Sequence, residues 1–354
     1  MKRITKPLAL ILALLMLVAL VGCQNGTPSD SVEPTEAPVG DATEAPEADA
    51  KGSDVADLDF PNKAITIIVP YEAGGTADVA TRVFAEYFSE ELGVGVNVIN
   101  IVGSAGALGA QELQKQAPDG YYLLVSAVGF PVAYAFGGMD FTYEEFAPVA
   151  NFLSSFNCFC VRADSPYETF EQFIEAAQNN EPGFMKTGSL TNTLATMVLF
   201  AMQNDYGIEF SYVDLAGNAK STELLAGRID AYPDAFAQMQ PYIDSGDFRA
   251  LAIMNSEGRY EKYPDIPTFA ELGMDYPELD QTWGFWTVKG TDPAIIDYLS
   301  EKIGKTLESE ELAAEWEKIT YFPHYQDTEE YTEYLDMLYT KLPEIVAKAQ
   351  AAAE

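Results

Sequence analysis

The sequence predicts an α/β fold with mainly parallel sheets. Strand-like and helix-like stretches alternate from near Phe60 to the C-terminus. That folded part is nearly 300 of the 354 residues, long enough for two domains. A strand–turn–helix unit at its head also returns about one domain further along.

The head unit is Ile65-Thr-Ile-Ile-Val-Pro-Tyr-Glu-Ala-Gly-Gly-Thr-Ala-Asp78 and the segment behind it. Ile65, Ile67, Ile68 and Val69 read as a buried strand, ended by Pro70. Gly74 and Gly75 allow a positive φ or a close approach to a ligand. Thr76 suits a helix N-cap and Asp78 a first turn. Val79, Val83, Tyr87, Phe88 and Leu92 then recur at helical spacing. Free N–H groups and a positive dipole end make such a junction a place to hold an anion. The same residues also read as a well-capped connection with no ligand.

Val96–Asn100 is a second strand, and Gly103 to Gly109 a second glycine turn opening a helix through Gln116. Pro118-Asp-Gly120 turns into the strand Tyr122–Ala127. Gly129 and Phe130 lie just past its C-terminal end, where α/β sheets bind ligands. Phe156–Arg162 is a strand and Phe170–Asn179 a helix. The second unit follows, with strand Phe184–Thr187, the polar turn Gly188-Ser-Leu-Thr-Asn-Thr193 and helix Leu194–Tyr206. Ser189, Thr191 and Asn192 can cap that helix and still offer polar groups outward. Phe210–Val213 is a strand before the turn Gly217-Asn218 and helix Ala219–Ala226. Arg249–Met254 is a strand, Thr268–Glu271 has capping-box spacing, and Thr282–Val288 is an aromatic-rich strand. Asp292–Leu307, Glu310–Ile319 and Thr328–Ala349 read as helices, with Pro343 expected to kink or break the last.

The N-terminus reads as an address. Lys2, Arg3 and Lys6 precede the apolar run Leu8–Val21, and Leu20-Val-Gly-Cys23 matches a bacterial lipoprotein cleavage box. A signal peptide over residues 1–22 and acylation of Cys23 are therefore expected. They imply an exported protein held to the membrane by lipid, on the cell surface or in the periplasm. Residues 23–59 are acidic, rich in Pro, Ala, Thr and Ser, and read as a disordered tether.

The formal charge is −35; removing Lys2, Arg3 and Lys6 from the 20 basic side chains leaves 17 against 55 acidic ones. Nucleic acid is an implausible partner for such a surface. A small anion is not excluded. Charges beyond about 8 Å are screened at physiological salt, whereas a charge-assisted hydrogen bond at contact gives about 1.5–3 kcal/mol. His324 is the one histidine, so a His-based triad or His-rich metal site has no support unless His324 itself serves. No nucleotide-binding glycine motif follows the first strand, and no cofactor or metal is expected. Cys158 and Cys160 share a strand face, reading first as a reduced buried pair and otherwise as a strained disulfide.

The head unit resembles the first signature of the tripartite tricarboxylate transporter receptors, the Bug or TctC family. So do Val98-Ile-Asn-Ile-Val-Gly-Ser-Ala-Gly-Ala-Leu-Gly-Ala110, Ala117-Pro-Asp-Gly-Tyr-Tyr-Leu-Leu124, Leu225-Ala-Gly-Arg-Ile-Asp-Ala231, Phe248-Arg-Ala-Leu-Ala252 and Pro264-Asp-Ile-Pro-Thr-Phe-Ala-Glu-Leu-Gly273. The motifs stand in the family's order from Phe60 onward. The resemblance implies a two-lobed, type II periplasmic-binding-protein-like fold that hinges shut on a small, usually carboxylated solute. It implies a monomeric receptor that delivers the solute to membrane permease subunits and is not an enzyme. Lobe one is expected over residues 60–160 plus 282–354, and lobe two over 161–281. By the family's pattern Gly74, Gly75, Thr76 and Ala77 hold a carboxylate through backbone N–H groups, with Tyr71 and Asp78 expected beside them in the binding site. Gly188, Ser189, Thr191 and Asn192 close from the other lobe, and Gly129 and Phe130 line the cleft. Asp234 faces a ligand's amine or amide, or else caps a turn. Leu194 stands where the family often has a histidine, and Glu72 is an extra acid, which keeps an amine-bearing or cationic solute open. An enzyme of similar two-lobed fold and a surface adhesion protein are the other readings.

Overall fold

The computed structural model describes residues 59–215 and 219–353. The expected signal peptide, Cys23, the tether (save Asp59) and the Gly217-Asn218 turn lie outside the described residues.

In chain order the strands are β1 (Ile65–Val69), β2 (Val96–Asn100), β3 (Tyr122–Ala127), β4 (Phe146–Ser155), β5 (Asn157–Arg162), β6 (Lys186–Ser189), β7 (Ser211–Asp214), β8 (Ala231–Ala235), β9 (Phe248–Met254), β10 (Gln281–Val288) and β11 (Phe322–Gln326). The helices are α1 (Thr76–Leu92), α2 (Ala107–Gln114), α3 (Gly129–Ala135), α4 (Phe170–Gln178), α5 (Leu194–Tyr206), α6 (Ala219–Leu225), α7 (Phe236–Asp244), α8 (Pro293–Leu307), α9 (Glu310–Glu317) and α10 (Thr328–Ala353).

Two sheets result, ordered β11-β4-β10-β3-β1-β2 and β7-β6-β8-β5-β9. The α/β class stands, but both sheets are mixed rather than mainly parallel. β1 pairs in parallel with β2 and β3, and β6 with β7 and β8. β10 runs antiparallel to β3 and β4, and β5 antiparallel to β8 and β9. The chain passes from the first sheet to the second at Phe156 and returns between Met254 and Gln281. The strands beside these crossings enter from the other sheet, and local periodicity cannot reveal their direction. The first crossing also falls before Cys160, because all of β5 pairs within the second sheet.

Apolar packing crosses between the sheets. One core cluster joins Ile68, Leu124 and Trp286 to Phe159, Phe173 and Met197, with Leu335, Leu338 and Leu342 of α10. That anchorage explains why Pro343 does not end α10, which continues to Ala353. Leu342, Ile345, Val346 and Ala349 are buried on both sides of the proline, and their burial offsets the lost hydrogen bond. The Thr268–Glu271 capping box forms as expected. Glu271 N–H donates to Thr268 Oγ1 at 3.1 Å, and Thr268 N–H to Glu271 Oε2 at 2.8 Å. Cys158 and Cys160 are buried and unbridged, with sulfurs 3.6 Å apart. Burial, then the Cys160 sulfur, pushes the Cys158 thiol up. Among the described residues no helix is long and apolar enough to cross a membrane.

Candidate functional site

The first turn sits at the C-terminal end of β1. Its N-cap is Gly75, in extended conformation, not Thr76, which is already the first helical residue. The positive φ of the turn, 79°, is at Gly74. Two of its N–H groups are consumed inside the turn: Gly74 N–H donates to Asp78 Oδ2 at 2.8 Å, and Gly75 N–H to Glu72 O at 3.1 Å. The first helical bond runs from Val79 N–H to Gly75 O. The N–H groups of Thr76, Ala77 and Asp78 therefore precede the helical ladder and have no acceptor within it.

Asp78 builds this geometry from behind. It is 2% exposed. Besides Gly74 N–H, its carboxylate accepts from Arg82 Nε at 3.0 and 3.1 Å and from Asn100 Nδ2 at 2.8 Å. Burial alone raises its pKa, but the Arg82, Gly74 and Asn100 hydrogen bonds outweigh that and hold it below the usual carboxylate range. Asn100 also donates to Tyr71 O at 3.0 Å, tying β2 to the turn. Asp78 is thus a lock on the turn, and its carboxylate has no capacity left for a solute. Arg82, four residues on, was the legible signal for this.

Tyr71 is half-buried. It lies 3.9 Å from where a Cβ on Gly129 would sit, so Tyr71 and exposed Gly129 are neighbours. Phe130 does not line a surface. It is fully buried against Phe141 and Trp286, because α3 turns it into the core.

The second turn lies at the C-terminal end of β6. Gly188 is packed inside the sheet against Ile229 and Leu215. Ser189 is 5% exposed, with its hydroxyl 2.7 Å from Thr196 Oγ1. It faces its own helix rather than outward. Thr191 donates through N–H and Oγ1 to Asp214 Oδ1, at 3.0 and 3.1 Å. Asn192 is exposed, with φ at 62°. Thr193 is the N-cap of α5, so none of Ser189, Thr191 and Asn192 holds that position.

Asp234 is not a turn cap but part of β8, and it forms a nearly buried ion pair with Lys220 of α6. Sequence reading missed Lys220, whose only signal was a cation in the first turn of a helix, the wrong end for the dipole. Two further polar atoms are buried and unpaired where the chain crosses between sheets, Asn157 Nδ2 and Gln281 Oε1. A concavity of about 600 Å³ lined by Asp297, Glu301, Tyr325, Asp327 and Glu333 shares no residue with either turn. Among the described residues no group of three or more His, Cys, Asp or Glu is placed to hold a metal.

The description "Tripartite tricarboxylate transporter family receptor" matches residues 80–350. A "UPF0065 protein in gbd 5'region" of Cupriavidus necator is 31% identical over 300 residues, covering 82% of this chain and 88% of the relative. A TctC solute binding protein from Polaromonas superposes with a TM-score of 0.73 at 26% identity, over 82% of this chain and 99% of that one. Two Rhodopseudomonas palustris proteins share the fold. One, solved with adipate, has a TM-score of 0.68 at 22% identity, over 82% of this chain and 99% of its own. The other, MatC with bound malate, has 0.66 at 19%, over 81% and 100%.

Proposed function

The chain belongs to the tripartite tricarboxylate transporter receptor family, and from that premise we propose that it captures a small carboxylate-bearing solute outside the cytoplasm and delivers it to membrane permease subunits. The observation that carries this reading is the set of three N–H groups at Thr76, Ala77 and Asp78. They lie at the positive end of a 17-residue helix and are held by the Asp78–Arg82–Asn100 lock. A carboxylate placed there accepts hydrogen bonds that nothing else in the helix takes. Tyr71 and Gly129 flank it, and the 190–193 turn of the second lobe closes over it. The adipate- and malate-bound proteins of the same fold support the solute class. In this reading lobe one holds the first sheet and lobe two the second, with the crossings at Phe156 and before Gln281 as hinge. The protein acts as a monomer, anchored through acylated Cys23 with residues 24–59 as tether.

Mass spectrometry of small molecules released from protein purified without refolding tests the reading. It predicts a stoichiometric carboxylic acid. A stoichiometric amine without a carboxyl group contradicts it.

A further inference from the structure

Lys220 breaks two local rules. It stands second in α6, where the helix dipole repels a cation. Its side chain is only 9% exposed. Such violations are tolerated where function needs them. Its stem passes beside Gly188, with Lys220 Cγ 3.8 Å from where a Cβ there would sit, and its ammonium reaches Asp234. β6 and β8 run parallel with Thr187 opposite Ala231, which sets Asp234 level with Leu190, the first residue of the second turn. The pair therefore lies at the C-terminal edge of the parallel strands, where α/β sheets take ligands. Lys186, the cation of β6, stands at the opposite end of that strand.

The pair is unevenly satisfied. Asp234 Oδ1 also accepts Ala235 N–H at 2.9 Å. The ammonium has three donors, and Asp234 is its one acceptor among the described residues. Only the Tyr232 ring, 5.8 Å away, joins Asp234 beside the ammonium among the described residues; a near-buried ammonium so sparsely partnered is costly, and an incoming anion relieves that cost. We infer that Lys220 is the anion-binding group of the second lobe, selecting solutes that carry a second anionic group, with Asp234 as its resting counterion. This rests on the carboxylate-receptor reading. One anionic group sits on the Thr76–Asp78 N–H groups and the other on Lys220.

Removing Lys220 alone strands Asp234, so the Lys220→Met/Asp234→Asn double variant carries the test beside Lys220→Arg. Calorimetry compares adipate with hexanoate and malate with 2-hydroxybutyrate, with circular dichroism as folding control. Wild type is expected to prefer the dianion of at least one pair by tenfold or more. The double variant is expected to bring that dianion down to the level of the monoanion without moving the monoanion, and Lys220→Arg to keep a preference. A preference that survives in the double variant, equal losses for both probes, or no preference in wild type overturns the inference. Wild-type binding to none of the four overturns the carboxylate reading beneath it.

Discussion

At the scale of single residues, the proposed site divides into groups placed to meet a solute and groups that hold those groups still. Asp78 belongs to the second kind. Asp78→Ala leaves Gly74 N–H without its acceptor and removes one acceptor each from Arg82 and Asn100. It is expected to cost about 1–3 kcal/mol of stability, as for buried hydrogen-bonding groups left unsatisfied, and to weaken solute binding as well. Urea unfolding and calorimetry check the two effects. The strand, the glycine pair and the helix start were legible because each is a local signal. The direction in which side chains point was not. Ser189 turns inward because its partner Thr196 is seven residues away around the turn. Gly75 takes the cap expected of Thr76, since both types suit an N-cap and only the backbone decides.

Among the elements, the strands read correctly are those with dense β-branched or aromatic runs. β4, β8 and β11 were missed, and each contains a proline: Pro148, Pro233 and Pro323. Pro323 is tolerated because β11 is an edge strand. The β10–α10 contact is tighter than any sequence pattern reveals. A Cβ on Gly284 would collide with the Tyr331 ring, which packs directly on the strand backbone. Gly284→Ala is expected to cost about 1–3 kcal/mol through overpacking, read as a lower urea midpoint with unchanged slope.

For the whole molecule, family and class were legible because six short motifs stand in order. The direction of the strands was not, because it depends on which strands enter each sheet from the other one. The second crossing also carries a pH response. Asp280 N-terminal to β10 accepts from Ser256 N–H at 3.2 Å and from Ser256 Oγ, while Glu257 bonds His324 Nδ1 of β11 at 3.0 Å. Burial raises Asp280 to about 6, partly countered by Ser256 and His324. An acid raised on folding binds more protons folded than unfolded, so this group destabilises the protein as pH rises from about 4 through 6. Its contribution is about 3 kcal/mol, and Asp280→Asn is expected to remove that slope from urea stability measured between pH 4 and 7. Asp78 acts in the opposite sense, losing its contribution as pH falls through its lowered value. The central claim, that the α1 N-terminus holds the solute's carboxylate, is tested most directly at Thr76. Proline fits the first helical position, and Gly75 at φ −68° and ψ 161° suits the residue before it. Thr76→Pro therefore deletes one N–H with little change in fold, and Thr76→Ala controls for the side chain. Calorimetry with the co-purified solute should show Thr76→Pro binding weaker than Thr76→Ala by about 1.5–3 kcal/mol, roughly ten- to 150-fold. Equal affinity of the two folded variants would contradict the account.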